Sequence, residues 1–254
     1  MVNTFNISCI GASHLKNNIP CQDYSASWKS GKSAIIAVAD GHGSEEYIHS
    51  DRGARFAVES ALICIKELIK KKPDKLFNPD IDLKTLEKSI IAEWYNKVAN
   101  DTHEEIDDIF VSYGTTLLAA AMTEHYWFAI QIGDGKCVVI NDDNSITQPV
   151  PWDDKCFLNV TTSLCDHNAH DLFRHYYSEK LPSAVFLGSD GIDDSFPIGK
   201  NEEHLAIFYR NVFEKITVDG INKGLDSIKE VLPLLSQKGS GDDVSAAGII
   251  RTFV

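Results

Sequence analysis

Short apolar segments and longer amphipathic segments follow one another along the chain in an irregular order. Six apolar segments have the length and the Gly, Asp or Ser boundaries of buried strands, namely Ala34–Ala39, Thr115–Ala121, Tyr126–Ile132, Cys137–Ile140, Ala184–Leu187 and Val244–Ile250. Four segments carry apolar residues at helical spacing, namely Gly53–Lys72, Leu83–His103, Glu203–Phe213 and Leu225–Leu235. Because helices and strands do not alternate regularly, we predict mostly antiparallel sheet with helices packed outside rather than a doubly wound parallel sheet.

The composition is typical of a globular protein, with 43% apolar and 24% charged residues in a chain of 254. No internal repeat or Pro/Gly/Ser-rich linker interrupts the sequence, so we expect a single domain over residues 1–254. No apolar run approaches the ~20 residues of a membrane helix, and the first residues do not resemble a signal peptide. The six cysteines are widely spaced and indicate reduced thiols. We therefore expect a cytoplasmic protein without a membrane partner, and we expect a monomer.

Acidic residues outnumber basic ones, with 37 Asp and Glu against 24 Lys and Arg and a formal net charge of −13. This balance argues against broad nucleic-acid binding, which depends on Lys and Arg neutralising phosphates. We therefore expect no nucleic-acid partner. The excess acidic residues either lie on the solvated surface, or some of them are clustered at a functional site.

Aspartates flanked by small residues stand where four of the predicted strands begin or end. Asp40, Asp134 and Asp190 follow apolar runs and are each followed by glycine, and Asp242 precedes the last strand. Glycines let the backbone approach a ligand closely, and hard divalent cations prefer carboxylate and carbonyl oxygens from several segments. Asp-Gly is also the commonest hairpin turn, and an exposed acidic loop also explains the segment around Asp190. The joint occurrence of the four favours a cation site.

These motifs resemble those of the metal-dependent serine/threonine protein phosphatases of type 2C. The resemblance runs from Gly11 to Ile250 and follows the order of the family's motifs, which here read Cys21-Gln22-Asp23, Ala39-Asp40-Gly41-His42-Gly43, Tyr113-Gly114-Thr115-Thr116, Ile132-Gly133-Asp134, Ser189-Asp190-Gly191-Ile192 and Gly241-Asp242-Asp243-Val244-Ser245. The short first segment, with Gly11-Ala12-Ser13-His14, is similar to a compact bacterial branch of the family.

The resemblance implies an α+β fold, a four-layer α-β-β-α sandwich with two stacked antiparallel sheets and helices on both outer faces. It also implies two Mn²⁺ or Mg²⁺ ions at one end of the sandwich, with a third, weaker ion in some members. Asp40 is then expected to bridge the two ions, and the Gly41 carbonyl to ligate one of them.

The remaining metal ligands also follow from the resemblance. Asp190 and Asp242 are expected to hold the first ion, and Asp134 to help hold the third. Asp23 is expected to act mainly through metal-bound water or as an outer ligand. The expected activity is removal of phosphate from phosphoserine and phosphothreonine, so the partner is a phosphoprotein that a Ser/Thr kinase has modified.

The expected chemistry uses a hydroxide between the two cations, because two cations lower the pKa of a bridging water. The hydroxide attacks phosphorus in line while the cations offset the charge of the phosphoryl oxygens. His42, which stands two residues after the bridging Asp40, is the candidate general acid for the leaving alkoxide. The alternative is a structural role, in which His42 orients the ligands.

Two departures from the family's pattern bear on substrate binding. Asn18 occupies the position at which many members carry a phosphate-binding arginine, and Gln22 replaces a glutamate. Substrate phosphate is therefore expected to depend on the metals, or on His14, Lys16 or Arg52.

Two alternative functions stay open. One is a pseudophosphatase that binds phosphoprotein partners with little or no turnover, and the other is a phosphatase of small phosphorylated metabolites. The roles of two segments, 70–108 and 149–174, are also open. The first contains an acidic run at 104–108 that is either a docking surface or a solvated face, and the second is a lid, a partner site or a plain loop.

Overall fold

The computed structural model describes residues 1–71, 77–101, 108–156 and 160–251. The strands are β1 (Val2–Cys9), β2 (Asp23–Ser30), β3 (Ser33–Asp40), β4 (Leu117–Met122), β5 (Trp127–Ile132), β6 (Lys136–Ile140), β7 (Ile146–Thr147), β8 (Arg174–Ser178), β9 (Ala184–Gly188) and β10 (Val244–Arg251). The α-helices are α1 (Ala12–Asn17), α2 (Ser50–Lys71), α3 (Pro79–Asp101), α4 (Ile109–Ser112), α5 (Ala169–Leu172), α6 (Asp190–Asp193), α7 (Asn201–Asp219) and α8 (Ile221–Lys238).

The strands form two five-stranded antiparallel sheets. The first sheet has the order β1-β10-β9-β6-β7, and the second has the order β2-β3-β4-β5-β8. All pairings in both sheets are antiparallel. The prediction of mostly antiparallel sheet, made from the irregular order of helices and strands, is therefore confirmed.

The layers are visible in the alternation of side chains along β3. Ile36 and Val38 pack between the two sheets, against side chains such as Val185 of the first sheet. Ile35 and Ala37 point to the opposite face, into the core under α2 and α3. Because both faces are covered, this strand reads as a continuous apolar run. Helices α7 and α8 cover the outer face of the first sheet in the same way, which confirms the four-layer sandwich.

The six predicted strands and four predicted helices are confirmed, with ends that shift by a few residues. Lys72 and residues 102–103, at the ends of two predicted helices, lie outside the described residues, as do residues 104–107 of the acidic run. The strands that the sequence did not reveal are β1, β2, β7 and β8, the four edges of the two sheets. Edge strands are partly exposed and carry polar residues at many positions, so they lack the apolar signal of the central strands.

One end of the sandwich gathers the chain segments that carry the candidate site. They are the end of β3, the turn between β5 and β6, the start of α6 and the loop before β10, and all four line one cleft. Within the described residues, no helix combines the length and the apolar character needed to cross a bilayer.

Candidate metal centre

The cleft at this end of the sandwich has a volume of about 550 Å³. Its lining residues are His14, Gln22, Asp40, Gly41, His42, Gly43, Ser44, Glu46, Tyr47, Asp134, Val160, Thr161, Asp190, Asp194 and Asp242. Six of them carry carboxyl groups, and no Lys or Arg is among them. The predicted ligands Asp40, Gly41, Asp134, Asp190 and Asp242 are therefore brought together, and His42 lies beside them.

Asp40 is the last residue of β3, and its backbone is fixed by β4. Its amide donates to Thr116 Oγ1 at 3.0 Å, and its carbonyl accepts from the amide of Thr116 and from Oγ1 of Thr115, each at 2.8 Å. Gly41 continues the pairing as an isolated bridge to Thr115. A Cβ on Gly41 would lie 2.5 Å from the carbonyl oxygen of Ser50, so only glycine fits here. The carbonyl that the family uses as a ligand is thus held in place by backbone contacts.

Asp23 stands opposite Asp40 in the pairing of β2 with β3 but does not line the cleft. It is 5% exposed, and its Oδ2 accepts a hydrogen bond from Ser189 Oγ at 2.8 Å. Burial raises the pKa of Asp23 to about 8, although the hydrogen bond from Ser189 lowers it. Its Oδ1 is buried and has no hydrogen-bond partner among the described residues.

Burial and mutual repulsion raise the pKa of the carboxyl groups in the cleft. The pKa of Asp40 is raised well above its usual range by burial and then by the charge of Asp190. Burial, followed by the charge of Asp134, raises the pKa of Asp190 to about 7. Oδ1 of Asp190 is buried and has no hydrogen-bond partner among the described residues. An oxygen-rich cluster without a lysine or arginine in its lining fits hard divalent cations, which neutralise such repulsion.

The turn that carries Asp134 is held from behind by side chains. Gly133 has a φ of +103°, which favours glycine. Nε2 of Gln131 donates to the carbonyls of Gly133 and Gly135 at 3.1 and 2.6 Å, and Arg174 Nη2 donates to the Gly133 carbonyl. The other side of the turn is a second cavity of about 540 Å³, which Gln131 and Arg174 help to line. Because a cavity lies on this side of the turn, the position of the turn depends on these hydrogen bonds.

His42 is a partly buried, neutral imidazole. Burial lowers its pKa to about 4. Its ring makes an edge contact with Tyr47, with 4.7 Å between the ring centroids, and its amide donates to the Gly114 carbonyl at 3.1 Å. A Cβ on Gly114 would lie 2.6 Å from Tyr47 and 2.8 Å from His42, so this glycine lets the two rings sit together.

Gln22 shows what the replacement of the family's glutamate does. Its Nε2 donates to the His42 carbonyl at 3.2 Å and to Ser50 Oγ at 2.8 Å. A carboxylate cannot donate either bond, so the amide ties the segment that follows Asp40 to the start of α2. The position supports the cleft wall.

The three side chains expected to contact substrate phosphate, those of His14, Lys16 and Arg52, differ in their position relative to the cleft. Arg52 is bound by Asp101 and by His49, and Lys16 is exposed on α1. Neither lines the cleft, whereas His14 does. Asn18, at the position of the family's arginine, ends α1 with a φ of +55° and is exposed.

Asp194 is a cleft residue that the sequence analysis did not single out. It follows Asp190 by four residues, across the single turn of α6, so both carboxyl groups can reach the cleft. Burial and then the charge of Asp134 raise the pKa of Asp194. The spacing of four residues between Asp190 and Asp194 was the sequence signal that could have identified Asp194. Glu46 also lines the cleft, and no sequence pattern distinguishes it from its exposed neighbour Glu45.

The loop between β7 and β8 forms another wall. Val160 and Thr161 line the cleft, while Thr162 Oγ1 accepts from the Gly133 amide at 3.0 Å and donates to Asp153 at 3.0 Å. Residues 157–159 lie outside the described residues. The described part of this loop is thus tied to the Asp134 turn.

Comparison with known proteins agrees with this architecture. The sequence profile described as Protein phosphatase 2C matches residues 10–231. The chain belongs to the protein phosphatase 2C family. No curated protein matches it significantly in sequence.

Solved structures of low sequence identity share the fold over almost the whole chain. The catalytic domain of the serine/threonine phosphatase PstP in complex with two manganese ions is 16% identical, with a TM-score of 0.63 and coverage of 98% of this chain and 97% of that one. PstP/Ppp from Mycobacterium tuberculosis is 15% identical, with a TM-score of 0.60 and 99% coverage of both chains. The phosphatase domain of SpoIIE from Bacillus subtilis is 12% identical, with a TM-score of 0.53 and coverage of 98% and 92%.

Proposed function

We propose that residues 1–254 form one catalytic domain, a phosphomonoesterase that uses Mn²⁺ or Mg²⁺ to remove phosphate from phosphoserine and phosphothreonine in proteins. The observation that carries the proposal is the convergence of five aspartates and the Gly41 backbone on one cleft without a lysine or arginine in its lining. Membership of the family and the manganese-bound PstP structure support the same choice of cation and reaction.

The side chains divide into two groups of ligands. Asp40, at the centre, would bridge two ions, with the Gly41 carbonyl, Asp190 and Asp242 completing the set. Asp134 and Asp194 lie beside Asp190 and would hold a third, weaker ion. When bound, the cations would activate a water for in-line attack on phosphorus and offset the charge of the phosphoryl oxygens.

Asp23 supports the ligands from behind the cleft. Its carboxyl group lies opposite Asp40 in the strand pairing and accepts from Ser189, the residue before Asp190. It would therefore orient two ligand-bearing segments at once, through hydrogen bonds of the kind that fix ligands around metal ions.

His42 would hold the proton for the leaving alkoxide once substrate is bound. In the free protein burial keeps the ring neutral, with a pKa of about 4. A phosphate dianion beside the ring favours its charged form, so the proton would arrive together with substrate. The contact with Tyr47 fixes the orientation of the ring.

The test is phosphate release from p-nitrophenyl phosphate and from a phosphothreonine peptide, each with Mn²⁺ or with chelator. We expect Mn²⁺-dependent turnover that Asp40→Asn and Asp190→Asn abolish. Asp142→Asn is the matched control, because Asp142 pairs with Arg251 and Ser183 and does not line the cleft. Activity that survives Asp40→Asn contradicts the mechanism.

The same assay separates the two other candidate functions. Turnover of sugar phosphates that exceeds turnover of phosphopeptides would favour a metabolite phosphatase. Bound Mn²⁺ without turnover of any phosphomonoester would favour a phosphoprotein-binding pseudophosphatase, which the absence of the arginine at Asn18 motivates.

A further inference from the structure

His14 lies at the edge of the cleft between two aspartates of the loop that precedes β10. Its Nδ1 is 3.0 Å from Oδ1 of Asp243, and its Nε2 is 3.8 Å from Oδ1 of Asp242. The Asp243 side chain is 2% exposed, whereas that of Asp242 is 53% exposed. The imidazole therefore has a buried carboxylate behind one nitrogen and an open carboxylate of the cleft beside the other.

The carboxyl group of Asp243 is held in place by two backbone amides. Its Oδ1 accepts from the Gly11 amide at 2.5 Å, and its Oδ2 accepts from the Gln22 amide at 2.6 Å. Nδ1 lies 3.0 Å from this carboxylate without the geometry of a hydrogen bond, and the negative charge beside it favours the tautomer of His14 that carries the proton on Nδ1. The lone pair of Nε2 is then left facing Asp242 and the cleft. A carboxylate behind the ring nitrogen that does not ligate is the usual arrangement of a metal-binding histidine.

Backbone contacts fix the position of His14 relative to Asp242. The amide of Ser13 donates to the Gly241 carbonyl at 2.9 Å, and the amide of Ala12 donates to Ser236 Oγ at 2.9 Å. The same hydroxyl donates to the Asp242 carbonyl at 2.7 Å. A Cβ on Gly11 would lie 2.4 Å from the Asp242 carbonyl carbon. Helix α1 is therefore docked closely on the loop that carries Asp242.

The spacing of the two side chains suits a shared cation. Neighbouring ligands on an ion with bonds of about 2.1 Å lie about 3 Å apart. The distance between Nε2 of His14 and Oδ1 of Asp242 is 3.8 Å, close to this spacing, and the same Oδ1 accepts from the Asp243 amide at 2.8 Å, which holds it beside the imidazole. The arrangement suits a phosphate group poorly, because the carboxylates of Asp242 and Asp243, one beside each ring nitrogen, repel phosphate oxygens.

We propose that His14 is a nitrogen ligand, through Nε2, of the cation that Asp242 holds. The proposal rests on the metal centre of the proposed function and adds a ligand of a different chemical type to it. Imidazole suits transition metals, whereas Mg²⁺ prefers oxygen ligands. His14 would therefore shift the preference of this site from Mg²⁺ towards Mn²⁺ and the later transition metals.

The experiment is pulsed electron paramagnetic resonance on the full chain loaded with Mn²⁺ alone. A histidine nitrogen bound to Mn²⁺ modulates the electron spin echo at ¹⁴N frequencies, and ¹⁵N-histidine labelling changes that pattern. We expect the modulation in the unaltered protein and in His42→Gln, and its loss in His14→Gln. Among the described residues, His14 and His42 are the histidines that line the cleft. The isotope comparison and His42→Gln therefore decide the question even if His14→Gln does not fold.

A second readout is the affinity for each ion, measured by calorimetry. We expect His14→Gln to lower the ratio of Mn²⁺ to Mg²⁺ affinity by about tenfold. Bound Mn²⁺ without nitrogen modulation, or modulation that persists in a folded His14→Gln, overturns the proposal and leaves the metal centre intact. A raised KM in His14→Gln with an unchanged spectrum overturns it in favour of phosphate contact. No Mn²⁺ binding at all overturns both this proposal and the proposed function.

Discussion

Asp23 and Asp40 stand directly opposite each other at the open end of the β2–β3 pair, yet only Asp40 faces the cleft. Asp23 is buried against Ser189. In the proposed function, Asp40 is therefore a metal ligand and Asp23 orients the ligand-bearing segments.

This division predicts unequal effects of the same substitution. Asp40→Asn removes the carboxylate that the proposed function assigns to both ions, and we expect it to abolish high-affinity Mn²⁺ binding. Asp23→Asn keeps an acceptor for Ser189 and changes only the support, so we expect a loss of affinity of about 10- to 100-fold. Calorimetry with Mn²⁺ measures both. An Asp23→Asn protein as deficient as Asp40→Asn would show that Asp23 is itself a ligand.

The raised pKa values of the buried carboxyl groups predict how the stability of the metal-free protein depends on pH. Burial raises the pKa of Asp23 to about 8, that of Asp193 to about 8 and that of Asp190 to about 7. These groups ionise near pH 4 when unfolded, so between about pH 4 and 8 the folded state binds more protons. The free energy of unfolding must then fall as the pH rises through this range.

Thermal unfolding in chelator at pH 5, 6, 7 and 8 measures this dependence. We expect the midpoint to fall by at least about 5 °C, since 1 kcal/mol shifts it by roughly 2–4 °C in a chain of this size. Saturating Mn²⁺ should raise the midpoint most at pH 8, because the carboxylates must be ionised to bind it. A midpoint in chelator that is constant or rises with pH would contradict the described burial of these groups.

The hydrogen bonds of Gln131 and Arg174 to the Asp134 turn predict a remote effect on the third ion of the proposed function. Arg174 donates to the Gly133 carbonyl and to the Pro151 carbonyl, and it lies beside Asp153. We expect Arg174→Gln to lower the affinity for the weakest Mn²⁺ ion about tenfold, as an outer partner of a ligand does. The tighter ions should bind as before.

The matched control is Arg251→Gln, because Arg251 also stands at one end of a strand and donates to a backbone carbonyl, that of Leu181, which lies outside the Asp134 turn. Equal Mn²⁺ isotherms for Arg174→Gln and the unaltered protein would show that the Asp134 turn needs no such support. Asp134→Asn provides the reference for complete loss of the third ion.

The role of His42 can be tested by comparing substrates with different leaving groups. Nitrophenolate leaves without a proton, whereas the alkoxide of threonine needs one. If His42 supplies that proton, His42→Gln should lower kcat for a phosphothreonine peptide about 100-fold and kcat for p-nitrophenyl phosphate much less. Equal losses for both substrates would assign His42 the positioning role instead.

The central strands and the four motif aspartates were predictable because each leaves a local signal. The strand around Ile36 is apolar on both faces, and Asp40 follows it directly with two glycines nearby. The edge strands were not predictable, since residues such as Asn3 and Ser27 are polar and partly exposed. In the sequence, Asp194 is one of several acidic residues in its segment. In the structure, the turn of α6 places it beside Asp190.

The contact between His14 and the Asp242–Asp243 pair was also beyond the sequence pattern. The first residue belongs to α1 and the pair to the loop before β10, at opposite ends of the chain. Only the pairing of β1 with β10 and the docking of α1 on that loop bring them together. Long-range contacts of single polar residues leave no periodicity to detect.

The most direct test of the metal centre is a calorimetric titration of the metal-free chain with Mn²⁺ at pH 7.5, beside Asp40→Asn and the control Asp142→Asn. A metal centre in this cleft predicts two or more ions per chain for the unaltered protein and for Asp142→Asn, and almost complete loss of binding in Asp40→Asn. Heats no larger than those of Mn²⁺ diluted into buffer, in a folded unaltered protein, would contradict it.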